Sequence, residues 1–210
     1  MLNKKQLIMS AFSKKKSQGT HPLPFIRSIC DDNRTIERLE FSCYEYTPQS
    51  VEDTRTIYDI PANKLEKGYQ KLKDGLKNEE EIACHSRVYL ESGVIRHIPF
   101  LDLSGKFSNR RIQKTVDVIN DVFDDFKLGK IAFFESGRSY HLYGARLLSE
   151  NRWKKFLGRA LLLNLPDEKD IVDQRWIGHR LIAGYGTLRW TCHTDQYRQE
   201  PAEIHRASFN

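Results

Sequence analysis

The sequence predicts an α+β fold, on three observations. Aromatic, alternating runs of strand character stand at Arg38–Tyr46 and between Arg87 and Leu103. A stripe at helical spacing (Ile112, Val116, Ile119, Val122, Phe123, Phe126) separates two apolar strand-like runs, Ile95–Leu103 and Lys130–Phe134. A chain of 210 residues is also long enough to bury a sizeable core as one domain, or one domain with two lobes.

Each element has its own local signal. Residues 3–13 read as a short helix. The basic stretch that follows, Lys14-Lys15-Lys16-Ser17-Gln18-Gly19, is either a flexible arm or a phosphate-contacting tail. Arg38–Tyr46 is a strand, and Pro48 follows it. Asn63–Lys77 is a charged amphipathic helix with Leu65, Tyr69, Leu72 and Leu76 on one face and Asn63 as its cap. Arg87–Leu90 and Ile95–Leu103 pair through a turn at Glu91-Ser92-Gly93. Ser108 caps a helix running to about Phe126, and Gly129 ends it. Lys130–Phe134 is a buried strand, and His141–Leu147 continues the sheet. Asn151–Leu163 carries Trp153, Phe156, Leu157 and Ala160 at helical spacing. Ile171–Asp173 reads as a short strand, Gly178–Trp190 as a strand pair, and the last twenty residues as polar and irregular.

Composition narrows the partners. With 34 Lys and Arg against 28 Asp and Glu, the net charge of +6 mildly favours an anionic partner. No run of about 18 apolar residues exists to span a membrane. The N-terminal apolar stretch is too short for a signal peptide, so a cytoplasmic protein is expected. Cys30, Cys43, Cys84 and Cys192 form no CxxC pair. Reduced, mostly buried thiols are expected rather than a zinc site or a disulfide framework.

The chemistry concentrates between His97 and Tyr143. Asp102 ends one apolar run, and Ser136-Gly137-Arg138-Ser139-Tyr140-His141 ends the next. In a strand–helix–strand unit these two ends come close. A strand-end carboxylate ligates hard cations, and hydroxyl, guanidinium and imidazole groups hold phosphate. Gly137 lets the backbone approach a phosphate closely. No GxxxxGK[ST] segment is present, so P-loop chemistry is not supported.

Every candidate has a plainer reading. Asp102 as a turn cap, His141 as a satisfied core histidine, Asp173 as a loop acid and Arg189 as an ion-pair partner are the structural alternatives. Arg110 and Arg111 at a helix start and Asp124-Asp125 at its end read as solvated surface. Tyr140, Tyr143, Trp176 and Trp190 are either core aromatics or platforms for bases.

The order of these residues resembles the archaeo-eukaryotic primase superfamily. That superfamily has an Asp-x-Asp/Glu motif, a Ser-x-His motif, and a lone Asp shortly before an Arg-containing strand. Asp102 stands at the first acidic position, Ser139-Tyr140-His141 at the second motif, and Asp173 at the third. Gly186-Thr187-Leu188-Arg189-Trp190 is similar to the segment carrying a basic residue near the nucleotide. The resemblance spans about residues 86–200. Ser104 stands where the family has a second carboxylate, so the chain resembles a one-aspartate primase-like branch. Glu135 is the other conceivable source of that carboxylate.

The resemblance implies a primase-like core, with an N-terminal α/β lobe over residues 1–85 and a catalytic lobe over residues 86–210 built on an antiparallel, RRM-like sheet. It implies template-directed nucleotidyl transfer with Asp102, His141 and Asp173 as catalytic residues. Asp102 and Asp173 would hold Mg²⁺ or Mn²⁺, and Ser136, Arg138, Ser139, His141 and Arg189 would bind the nucleotide. The implied partners are a nucleoside triphosphate and a single-stranded DNA or RNA template. A helicase or another replication or defence protein would act in trans. The runner-up function is a catalytically weakened primase-fold module that binds nucleic acid or nucleotide and serves a partner protein. A metal-dependent nuclease ranks third.

Overall fold

A computed structural model describes residues 19–47, 54–104, 109–137, 139–197 and 199–208, and side chains from residue 115 onward in the helix beginning at 109. The expected helix over 3–13, the Lys14–Lys16 stretch, Pro48, the Ser108 cap, the side chains of Arg110, Arg111 and Ile112, and Arg138 all lie outside the described residues.

The chain is a mixed α+β protein, with two antiparallel sheets among the described residues. Its elements are α1 (Leu23–Asp32), β1 (Ile36–Glu45), β2 (Thr56–Pro61), α2 (Leu65–Asp74), β3 (Glu80–Leu90), β4 (Ile95–His97), β5 (Phe100–Leu103), α3 (Asn109–Phe123), β6 (Lys130–Glu135), β7 (Tyr140–Gly144), α4 (Glu150–Ala160), α5 (Gln174–Ala183), β8 (Thr187–Arg189) and β9 (Ala202–Ser208). The first sheet runs β2-β1-β3-β4, and β8 shares the β4 edge of β3. The second runs β5-β7-β6-β9.

Several elements follow from their sequence. The β3–β4 turn places Gly93 at φ +77°, a conformation that glycine adopts without strain. The α3 stripe buries Val116, Ile119 and Phe123, and a 3₁₀ turn at Asp124–Phe126 buries Phe126. Gly129 follows at φ +70°, where the helical run gives way to β6. Trp153, Phe156, Leu157 and Ala160 are all buried on α4, whose cap is Ser149.

The two sheets are stitched at Ile98-Pro99. There the strand beginning as β4 leaves the first sheet and re-enters the second as β5. Ile98 donates its amide to Ser86 O at 2.7 Å, and Pro99 O accepts from Gly144 at 2.9 Å, so the crossing is held by both sheets. Proline suits it, since a crossing strand has no ladder partner for an amide there. One core packs α1 and α2 on the first sheet (Phe25, Ile26, Leu39, Phe41, Leu65, Val88) and reaches Phe134 and Tyr143 of the second. The other packs α3 and α4 on the opposite face of the second sheet.

Other expectations are corrected. Gly178–Trp190 is not a strand pair: it holds most of α5, then the single strand β8. Only Ile177 of α5 is buried, so the helix shows no apolar stripe. The C-terminal segment is not irregular, because Ala202–Ser208 pairs with β6 as an edge strand in which no residue is fully buried. Asn63 is not a cap, because a 3₁₀ turn at Ala62–Lys64 leads into α2 from Lys64. The strand expected from Arg87 starts at Glu80, and the one expected at Ile171–Asp173 contracts to a single bridge, Leu103 with Val172. No helix among the described residues is long and apolar enough to cross a membrane. Cys30, Cys43, Cys84 and Cys192 are free thiols, the first three buried.

Candidate active site

The site grows from the end of β5. β5 pairs antiparallel with β7, which sets Asp102 directly opposite His141. β6 lies on the far side of β7 and is therefore parallel to β5, with α3 as the crossover between them. Alternation puts Asp102 on the face of Phe100, and His141 on the face of Tyr143. That face meets the first sheet, so the two polar side chains stand where an apolar layer between sheets would otherwise continue.

Asp173 reaches the same place along the open edge of β5. Its amide donates to Asp102 O at 3.0 Å, and Ser104 donates to Ile171 O at 2.8 Å. Asp173 then caps α5, its Oδ1 accepting from the Trp176 amide at 2.9 Å. One residue thus ends an edge pairing, starts a helix and presents a carboxylate beside Asp102.

The β6–β7 turn supplies the hydroxyls. Ser136 donates its amide to Ser139 O at 3.0 Å, and the Ser136 hydroxyl donates to the same carbonyl at 3.0 Å. The two hydroxyls lie 3.0 Å apart. Gly137 sits at φ +101°, a value that a side chain would strain. Ser139 also hydrogen-bonds the Asp102 carboxylate.

Arg189 closes the site from β8. Its guanidinium donates to Ser136 O at 2.6 Å, to Gln199 O at 3.3 Å and to Thr191 O, and it lies 3.9 Å above the Tyr197 ring. Buried Glu81 pins the segment after β8, accepting from the amides of His193 (3.0 Å) and Thr194 (2.8 Å) and from the hydroxyls of Thr191 and Thr194.

The electrostatics are those of a crowded acid pair. Burial and the Asp173 charge push the Asp102 pKa up to about 7, against the pull of the Ser139 hydroxyl and Arg189. The Asp102 Oδ1 and the His141 Nδ1 are buried without hydrogen-bond partners among the described residues. Burial, with Arg189 nearby, holds His141 well below the usual histidine range and therefore neutral. An orphaned carboxylate oxygen next to a second carboxylate fits a hard divalent cation, which would relieve both the repulsion and the missing contact. Among the described residues no group of three or more His, Cys, Asp or Glu forms a ready ligand cage. The rest of the coordination sphere would come from phosphate and water.

These groups line one cleft of about 590 Å³. Asp102, Ser136, Ser139, His141, Asp173 and Arg189 all reach it. The family model described as archaeo-eukaryotic primase 1D-like matches residues 62–202, and this span contains every one of those positions. The chain belongs to the archaeo-eukaryotic primase 1D-like family. No curated protein matches the chain.

In this primase-like chain, some residues singled out from sequence stand elsewhere. Ser104 and Glu135 are not among the described residues lining the cleft. Tyr140, Tyr143 and Trp190 are buried core, and of the four aromatics named only Trp176 borders the cleft. Its indole donates to Thr187 O at 3.0 Å. Sequence reasoning missed Arg175, His179 and Arg180, which line the cleft from α5. Recognising Asp173 as a helix cap would have found them, because Arg175 and His179 are then one turn apart. It also missed Tyr44, Tyr46, Arg55 and Tyr197, which no local pattern brings together.

Proposed function

We propose that this primase-like protein is a nucleotidyltransferase that adds nucleotides to a strand on a nucleic-acid template, as in priming for DNA replication. The observation carrying this reading is the convergence of Asp102, His141 and Asp173 on one cleft from three separate segments. In it, Asp102 and Asp173 hold Mg²⁺ or Mn²⁺. The bound ion neutralises charge that develops on the reacting phosphate. Ser139 and neutral His141 orient the triphosphate by hydrogen bonds, Ser136 fixes the turn that presents them, and the Arg138 guanidinium is a further phosphate ligand in this reading. Arg189 braces the turn through Ser136 O and adds positive potential. A strand 3′-hydroxyl attacks the α-phosphate in line, and pyrophosphate leaves.

The order β5-β7-β6, with α3 joining β5 to β6, supports reading the second sheet as RRM-like. A single-stranded DNA or RNA template, and a helicase or other replication or defence protein in trans, are the partners this reading requires. The test is strand synthesis by the full chain with Mn²⁺, nucleoside triphosphates and a primed template. Wild type is expected to make product, and Asp102→Asn to lose about 100-fold or more of it. Asp173→Ser keeps a capping hydroxyl but removes the carboxylate, and is expected to be inactive while folded. Product formation by Asp102→Asn at the wild-type rate would overturn the proposal.

A further inference from the structure

Besides the acid pair, the cleft is lined by tyrosines. Tyr44 lies one residue before the end of β1 and Tyr46 directly follows the strand; both line the cleft, as does Tyr197 from the stretch after the Glu81-bound segment. The Tyr44 and Tyr197 hydroxyls hydrogen-bond each other. Arg55 lies 4.0 Å over the Tyr44 ring, and Arg189 lies 3.9 Å over that of Tyr197. Tyr46 packs obliquely on Tyr197, with centroids 5.5 Å apart, yet is 43% exposed. All five residues line the same cleft as Asp102, His141 and Asp173.

We propose that the Tyr44–Tyr46–Tyr197 wall is a nucleobase subsite, an inference that rests on the nucleotide reading above. Guanidinium groups already lie over two of these phenol rings, and the half-exposed Tyr46 ring offers a face on which another flat π system can stack. A ligand with a planar ring at one end and phosphates at the other suits a cleft lined both by these tyrosines and by the acid pair with Ser139 and His141. A volume of about 590 Å³ suits one nucleotide. The base belongs either to the incoming nucleotide or to the nucleic-acid strand.

Calorimetric titration of the full chain in Mn²⁺ buffer separates these sources. The ligands are ATP, inorganic tripolyphosphate, a short single-stranded oligonucleotide, and its abasic counterpart. Tyr46→Ala is expected to weaken ATP or the oligonucleotide roughly tenfold and to leave the two baseless ligands unchanged. Tyr46→Phe, which keeps the ring, is expected to bind as wild type does. Loss confined to ATP assigns the subsite to the incoming nucleotide, and loss confined to the oligonucleotide assigns it to the strand. Unchanged binding of both by Tyr46→Ala, or a parallel loss for tripolyphosphate, would overturn the subsite. If wild type binds ATP no better than tripolyphosphate, and intact strand no better than abasic strand, the subsite alone falls. If wild type binds none of the four, the nucleotide reading falls with it.

Discussion

Asp102 is kept where it costs stability. Its folded pKa of about 7 lies above the value of about 3.9 expected in the unfolded chain. Between these pH values the folded state binds the extra proton, so the contribution of this carboxyl is fully present below about pH 4 and is lost as pH rises through about 7. Asp102→Asn removes the penalty. Thermal melts at pH 8 are expected to show the variant more stable than wild type, by about 1–3 kcal/mol once solvent reach is allowed for. The difference should vanish near pH 4. A variant no more stable than wild type at pH 8 would mean that the carboxylate is not strained. Asp173 behaves differently, because its carboxylate also caps α5. Its replacement by Ala should cost about 0.5–2 kcal/mol, which is why Ser is the cleaner probe there.

At the scale of elements, glycine separates local propensity from packing. Both Gly68 in α2 and Gly178 in α5 are helical, and propensity alone says that alanine stabilises each by about 0.5–1 kcal/mol. At Gly178 an added Cβ meets nothing within 4 Å, so the gain should appear. At Gly68 it would lie 2.4 Å from Ile60 Cγ2, on a stiff β-branched side chain of β2. Gly68→Ala should therefore destabilise by about 1–3 kcal/mol. Urea titration of the two variants checks both signs, and stabilisation by Gly68→Ala would contradict the α2–β2 packing. The same contrast explains what the sequence revealed. Elements that bury a stripe, such as α3 with Ile119 and Phe123 or α4 with Trp153 and Phe156, were legible. α5 was not, because Ile177 alone is buried and its cleft-facing residues are polar. β9 was not, because an edge strand of mixed residues, none of them fully buried, lacks the apolar run that marks β6.

At the scale of the whole molecule, the site is a product of how the two sheets are joined. The crossing at Ile98-Pro99 sends one strand from the first sheet into the second, and β8 returns to β3 from the C-terminal third. The cleft opens between them, taking Asp102 and His141 from one sheet and Arg189 from the edge of the other. Asp102, Ser139, His141 and Asp173 were legible because short motifs mark them. The Tyr44–Tyr197 contact was not, since only this closure brings those residues together. The central claim is that Asp102 and Asp173 hold one divalent cation in this cleft. Anomalous diffraction from a crystal soaked with Mn²⁺ and a nucleoside triphosphate tests it most directly. The prediction is a manganese peak about 2.0–2.6 Å from a carboxylate oxygen of both Asp102 and Asp173, with the triphosphate beside Ser139 and His141. A peak remote from that pair, or nucleotide bound with no metal between the two carboxylates, would contradict it.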